Sequence, residues 1–186
     1  GIALDERFSE TVYGGIECAR RDLETPYKDE TLDEVHSVDW HEKWARAYLY
    51  WALHPWVVAS GEYGYDRFDR DAEYPGPALF TDTRTHRFSL GTNVFHPSGA
   101  RGGVRGTFVD QKGDFVGSDG VTITHGGEHF WVLDAAIGYQ LPKRLGLVSI
   151  EARNLLDEKF KFEDTDPANP TIAPERVFLL KITLAL

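Results

Sequence analysis

The chain contains a single cysteine, Cys18, so neither an internal disulfide nor a multi-cysteine metal site is available to it. The thiol reads as a small buried or lipid-facing apolar residue. No run approaches the ~18 consecutive apolar residues that a membrane helix needs, which excludes a helical membrane protein. Positive charge is scarce: 20 Lys and Arg against 30 Asp and Glu give a net charge of -10 and a pI near 5.1. Phosphate backbones want a basic partner, so nucleic acid is excluded. The opening G-I-A-L-D-E-R has no basic n-region and no h-region, so no secretory signal is visible. An exported protein with this sequence is a mature chain or a piece of a longer one. Seven histidines form no H-E-x-x-H or comparable ligand spacing, and no metal or cofactor is expected.

The 186 residues suit one domain, and 41% hydrophobic with 27% charged residues is a folding composition. Mean hydropathy is -0.38. That value does not argue against a transmembrane β-barrel, whose strands are apolar only at alternate positions. The 18 Gly, 5 Trp, 8 Tyr and 11 Phe suit twisted strands and interfacial aromatic girdles.

The final stretch, R-V-F-L-L-K-I-T-L-A-L from Arg176 to Leu186, shows the period of a strand. Phe178, Leu180, Ile182, Leu184 and Leu186 share one face; Val177, Leu179, Lys181, Thr183 and Ala185 share the other. An apolar edge ending flush is a poor terminus for a soluble protein and a natural one for the closing strand of a membrane barrel.

Eight stretches alternate well enough to be strands: Phe8 to Leu23, His41 to Leu53, Trp56 to Phe68, Arg84 to His96, Arg101 to Phe115, His129 to Leu141, Leu145 to Phe162, and Arg176 to Leu186. After odd-numbered strands the chain makes polar excursions, E-T-P-Y-K-D-E-T-L-D-E-V-H-S-V-D among them. After even-numbered strands it turns quickly, as at His54-Pro55, P-S-G-A and Pro142-Lys143-Arg144. Outer-membrane barrels have this asymmetry of long external loops and short periplasmic turns. The expectation is an all-β antiparallel transmembrane barrel with eight strands in this chain and both termini on the short-turn rim.

Turning the apolar set outward puts Glu17, Arg46, Glu62, Arg87, Arg105, Asp134, Glu151, Arg153 and Lys181 on the lumen wall. A basic residue facing the lipid midplane costs ~2–4 kcal/mol, whereas in a lumen opposite charges pair and hydrate. A soluble calycin-like barrel would invert the two faces.

The segment I-E-A-R-N-L-L-D-E-K-F, Ile150 to Phe160, followed by a polar loop and A-P-E-R-V-F-L-L-K-I-T-L-A-L, resembles the C-terminal end of TonB-dependent receptor barrels. Those commonly carry an Asn-Leu-hydrophobic-Asp element on the penultimate strand, an Arg after the last loop and an alternating final strand. Asn154, Leu155, Leu156, Asp157, Arg176 and Phe178 match these places. The resemblance covers about the last 60 residues. It departs from the family at Leu186, where an aromatic residue is usual, and in strand number, since that family closes about twenty-two strands around a plug. It implies ligand capture at external loops and passage through the lumen. The chain is then the C-terminal part of a larger barrel, or else a small barrel sharing the closing-strand pattern.

The expected setting is the bacterial outer membrane, with lipid, a transported ligand and other barrel segments or chains as partners, and no catalysis. The alternatives are a free-standing eight-stranded barrel acting as an anchor or adhesin, or one with an enzymatic rim at Asp66, Asp82, His86 and Ser118. The acidic stretches Asp29 to Asp39, Asp110 to Gly120 and Asp164 to Asp166 lack calcium-ligand spacing and read as solvated. Trp40, Trp44, Trp51, Trp56 and Trp131 are expected as headgroup-level anchors. Pairing of Phe8 to Leu23 with Arg176 to Leu186 would mean a small closed barrel; free edges would mean part of a larger one.

Overall fold

The computed structural model describes residues 1–29, 34–70, 80–116, 122–162 and 172–184. Nine strands form one antiparallel sheet in chain order: β1 (Ile2–Arg7), β2 (Val12–Asp29), β3 (Glu34–His54), β4 (Val57–Arg70), β5 (Phe80–Phe95), β6 (Ala100–Val116), β7 (Ile123–Gln140), β8 (Gly146–Arg153) and β9 (Val177–Leu184). A 3-10 turn at Pro142–Arg144 is the one helical element among the described residues.

The all-β antiparallel expectation holds, and several finer expectations do not. There are nine strands rather than eight, because Ile2–Arg7 pairs with β2 from Ile2↔Cys18 to Arg7↔Tyr13. Its six residues alternate weakly and carry three charges, which hides the strand. The first expected strand starts at Val12, not Phe8. Ser9 builds the turn before it, its Oγ accepting the N–H groups of Thr11 at 3.2 Å and Val12 at 3.0 Å. The sheet is open: β1 and β9 are its two edges and do not pair with each other. With an odd strand count β1 runs toward the tight-turn end from Ile2, which is level with Cys18 in mid-sheet, whereas β9 ends at Leu184 beside Gly146, so the two ends do not share the short-turn rim.

The polar stretch from Glu24 to Asp39, expected as a loop, is mostly ladder. Glu24 pairs with Asp39, Thr25 with Val38 and Asp29 with Glu34. Backbone hydrogen bonds hold a hairpin whatever its side chains, and here the buried Val38 supplies an apolar contact. β7 likewise begins at Ile123, not His129. Part of the asymmetry read as loop length is therefore an asymmetry of strand length, with strands running on past the apolar part of the sheet at one end only. At the other end the turns are tight. In the one after β5, Gly99 adopts φ +96 and its N–H donates to His96 O at 2.9 Å.

The turns are also staggered. Val12, Trp51, Thr92 and Ala135 lie on one hydrogen-bonded row. Val12 sits at its turn, while the other three are three, four and six residues from His54, His96 and Leu141. The rim thus runs obliquely to the rows, which is the shear that tilted barrel strands need.

The faces are unlike. Apart from the small Ala152, the buried side chains of the strands, including Val38, Phe68, Thr83, Thr85, Val109, Gln111, Phe130 and Val132, lie on one face, hereafter the enclosed face. Among the described residues nothing covers the other face. There Leu90 is 74% exposed, Leu180 68%, Ile137 66% and Trp131 62%.

β8 stops at Arg153, well short of the expected Phe162, because Asn154 and Asp157 take left-handed conformations at φ 47 and 56. Beyond them Phe160 stacks on Phe130 with centroids 4.0 Å apart, and with Phe162 and Ile172 it packs against Val109 and Val132. Asn154 is fully buried and ties this return together. Its N–H donates to Asp134 Oδ1 at 2.9 Å and its Nδ2 to Glu158 O at 3.0 Å and Ala173 O at 3.4 Å, while its Oδ1 accepts Glu158 N–H at 2.9 Å. Asp157 Oδ1 accepts the Arg176 N–H at 3.2 Å and Lys159 Nζ at 3.3 Å. The Asn-Leu-Leu-Asp element is thus a clamp between the end of β8 and the start of β9.

Asn154→Ala is expected to destabilise the fold by about 2–4 kcal/mol in urea unfolding, combining unsatisfied buried groups with left-handed strain. Asn154→Gly, which accepts the backbone conformation, should cost about 1 kcal/mol less. The Arg176 N–H and the Lys159 ammonium hold the Asp157 carboxyl below its ordinary range. A depressed carboxylate contributes stability above its unfolded pKa and loses it as pH falls through the folded value. The destabilisation caused by Asp157→Asn at neutral pH should therefore shrink toward zero on acidification through that range.

Candidate functional site

The nine charged residues assigned to the lumen wall all fall on the enclosed face by register. Glu17 stands opposite Arg46 on β2 and β3, Gly64 on β4 stands between Arg46 and Arg87, and Arg105 faces Asp134 across β6 and β7. Glu151 and Arg153 share their β8 face with Ser149, which pairs with Lys181 of β9.

Seven of the nine form ion pairs, four of them in one alternating chain. Arg46 Nη1 donates to Glu17 at 3.1 Å and its Nη2 to Glu62 at 3.0 Å. Glu62 also accepts from Arg105 at 3.4 Å, reaching from β4 to β6 over β5. Gly91 makes that crossing possible: a Cβ there would lie 2.9 Å from Ser60 Oγ and 3.7 Å from Arg105 Cβ. Arg87 pairs with Asp66, and Arg153 lies 3.7 Å from Glu151. The Arg46 guanidinium also sits 4.8 Å above the ring of Tyr48, whose hydroxyl donates to Asp5. Asp134 is engaged by the Asn154 clamp. Lys181 stands apart, exposed near the β9 edge with no ion pair among the described residues.

These side chains enclose a cavity of about 440 Å³, walled by Arg46, Glu62, Asp66, Arg87, Arg105 and Arg153, with Ile172 and Ala173 of the folded-back segment at one end. A second cavity of about 350 Å³ shares Arg105, Asp134 and Arg153 and adds Tyr50, Ser60, Asn93 and Glu151. The combined surface is polar and of both signs. Its donors and acceptors are spread along its length and not gathered at one point.

Asp66 and Asp5 are members that the sequence reading left out. Asp66 shares the parity of Glu62 but was taken for a rim residue; Asp5 lies on the unrecognised first strand. Of the proposed rim constellation, Asp66 faces inward on Arg87, whereas Asp82 pairs with Arg67 and His86 with the Tyr63 hydroxyl at 2.9 Å on the bare face. They do not converge, and Ser118 lies outside the described residues, as does Asp164 to Asp166. Among the described residues no group of three or more His, Cys, Asp or Glu is placed to hold a metal ion. Two of the expected tryptophan anchors are corrected: Trp40 and Trp44 belong to the enclosed face, Trp40 packing edge-on against Phe68 at 5.5 Å. Trp51 and Trp131 are on the bare face, and Trp56 packs between His54 and His96 at the tight-turn rim.

Comparison with protein-family models, with curated proteins and with solved structures finds no match to the chain.

A double-mutant cycle on Arg46→Gln and Glu62→Gln should return a coupling of about 1 kcal/mol in urea unfolding, because both groups are partly shielded from solvent. The same cycle on the exposed pair Arg20 and Asp22 should return a smaller coupling, because solvent and salt screen it.

Proposed function

We propose that this chain forms part of the wall of an outer-membrane β-barrel and that its charged face lines a route for a polar ligand. The observation that carries the reading is the pairing of two unlike faces on one sheet. The bare face is apolar across all nine strands, from Ile2 and Leu4 on β1 through Leu90 and Trp131 to Leu180 and Leu184 on β9. Monomeric soluble proteins do not leave so wide an apolar surface uncovered. On β7 the apolar run spans Trp131 to Tyr139. That length is roughly 27 Å along a strand, or about 20 Å at a ~40° tilt, close to the ~25 Å apolar band of outer-membrane barrels.

The open edges of β1 and β9 support a larger barrel over a small closed one, since a membrane strand edge needs its hydrogen bonds met by further strands. Single-chain bacterial barrels have even strand numbers, and nine is odd. The closing-strand pattern of Asn154, Asp157 and Arg176 supports a barrel like that of TonB-dependent receptors. Ligand uptake follows from that resemblance, with the Arg46–Glu62–Arg105 network as the polar wall that a solute would meet.

The full chain, inserted into phosphatidylcholine vesicles whose acyl chains carry bromine, should show quenched emission from Trp131 and Trp51. Leu90→Arg should then cost about 2–4 kcal/mol, and Ser89→Arg, one residue away on the charged face, under about 1 kcal/mol. Unquenched tryptophan, or equal costs at the two positions, would overturn the reading.

A further inference from the structure

On β2 to β6 the bare face changes from apolar to charged once along each strand, and the change has a pattern. Going from the tight-turn end, the first outward-facing charged residue is Arg20 on β2, Lys43 on β3, Arg67 on β4 and Arg84 on β5. These four are neighbours on one hydrogen-bonded row: Arg20 opposes Lys43, Lys43 opposes Arg67, and Arg67 opposes Arg84. In a protein of net charge -10, four cations in a line directly above an apolar band are not a compositional accident. On β6 the first such residue is instead Asp110; Lys112, one outward position further on, opposes Arg84 and continues the row, but it lies 3.8 Å from Asp110, so the cations with no carboxylate between them and the apolar band belong to β2–β5.

Carboxylates stand one outward-facing position further from the band. Asp22 holds Arg20 at 2.9 Å and His41 at 2.7 Å; Asp69 and Asp82 hold Arg67 at 3.5 and 3.4 Å. Lys43 and Arg84 make no ion pair among the described residues, so the row keeps uncompensated charge next to the apolar surface. Between the side chains lies a cavity of about 120 Å³ lined by Arg20, His41, Lys43, Arg67 and Asp69. Three cations converge on it from three strands.

We propose that the row Arg20, Lys43, Arg67 and Arg84 is a binding site for the phosphate group of a membrane lipid, with the lipid chains lying along the apolar face below. The proposal rests on the membrane reading above and adds to it a specific ligand chemistry. Cations placed just beyond the hydrocarbon boundary meet the headgroup phosphates, where they are both neutralised and hydrogen-bonded. The apolar run under each cation, such as Ile16 and Cys18 beneath Arg20 or Leu90 and Phe88 beneath Arg84, gives the acyl chains their surface. One lipid phosphate would be shared by side chains from neighbouring strands, and its acyl chains would add contact with the apolar surface that a free anion cannot make.

The test uses the full chain in phosphatidylcholine vesicles with and without phosphatidic acid, whose phosphomonoester is the probe. Quenching of Trp131 by brominated chains reports insertion independently. Phosphatidic acid should be retained over phosphatidylcholine after extraction, as counted by native mass spectrometry. In Arg20→Gln/Lys43→Gln/Arg67→Gln that preference should fall by about fivefold for each cation removed, so about a hundredfold, with quenching unchanged. Lys181→Gln, on the opposite face of the sheet, should leave it nearly intact. Equal retention by wild type and triple variant with Trp131 still quenched would overturn the site while leaving the membrane reading standing. Displacement of the lipid by inorganic phosphate at matching concentration would reassign the site to free phosphate and overturn the lipid assignment. Absence of quenching would bring down the membrane reading and the lipid site together.

Discussion

The alternation of side chains along a strand governs this molecule more than any single contact. In a one-sheet meander each residue must choose between two faces, and no second layer exists to soften the choice. Here one face collects the ions and the few buried side chains, and the other collects bare Leu, Ile, Phe and Trp. Water suits the first and not the second. That contrast between the faces is what supports the proposal of a barrel wall in a bilayer, where two different solvents meet across one sheet.

On the polar side the ions are arranged for mutual satisfaction. Arg46 bridges two carboxylates from two strands, and Glu62 in turn spans to Arg105 across a glycine. A wall of this kind is rigid without being dry. The folded-back segment carrying Phe160 and Ile172 adds the only cluster of buried apolar side chains found among the described residues and closes one end of the charged cavity.

Much of this was legible in the chain. The face assignment of all nine charged residues follows from parity alone, because a two-residue period survives errors in strand boundaries. What parity does not reveal is where a strand stops. Glu24 to Asp39 looks like loop since its side chains carry no apolar signal, yet the ladder needs only backbone groups. Leu145 to Phe162 looks like one strand since Phe160 and Phe162 keep the alternation going, yet Asn154 turns the backbone and sends them onto Phe130. Ile2–Arg7 was too short and too charged to stand out, and its omission changed both the strand count and the level in the sheet at which the chain begins. The Asn154 element was visible as a pattern, but its hydrogen bonds required the partners at 134, 158, 173 and 176 to be brought near in space.

That clamp bears on how the last hairpin tolerates change. The connection from β8 to β9 is long, and closing a free loop of that size would cost entropy that grows with its length. Ties from Asn154 to Ala173 and from Asp157 to Arg176 pinch the connection at its neck, so strand register is decided there and not by the chain beyond. With the neck held in this way, a change in the length of the excursion between those ties leaves Ile150 opposite Leu180.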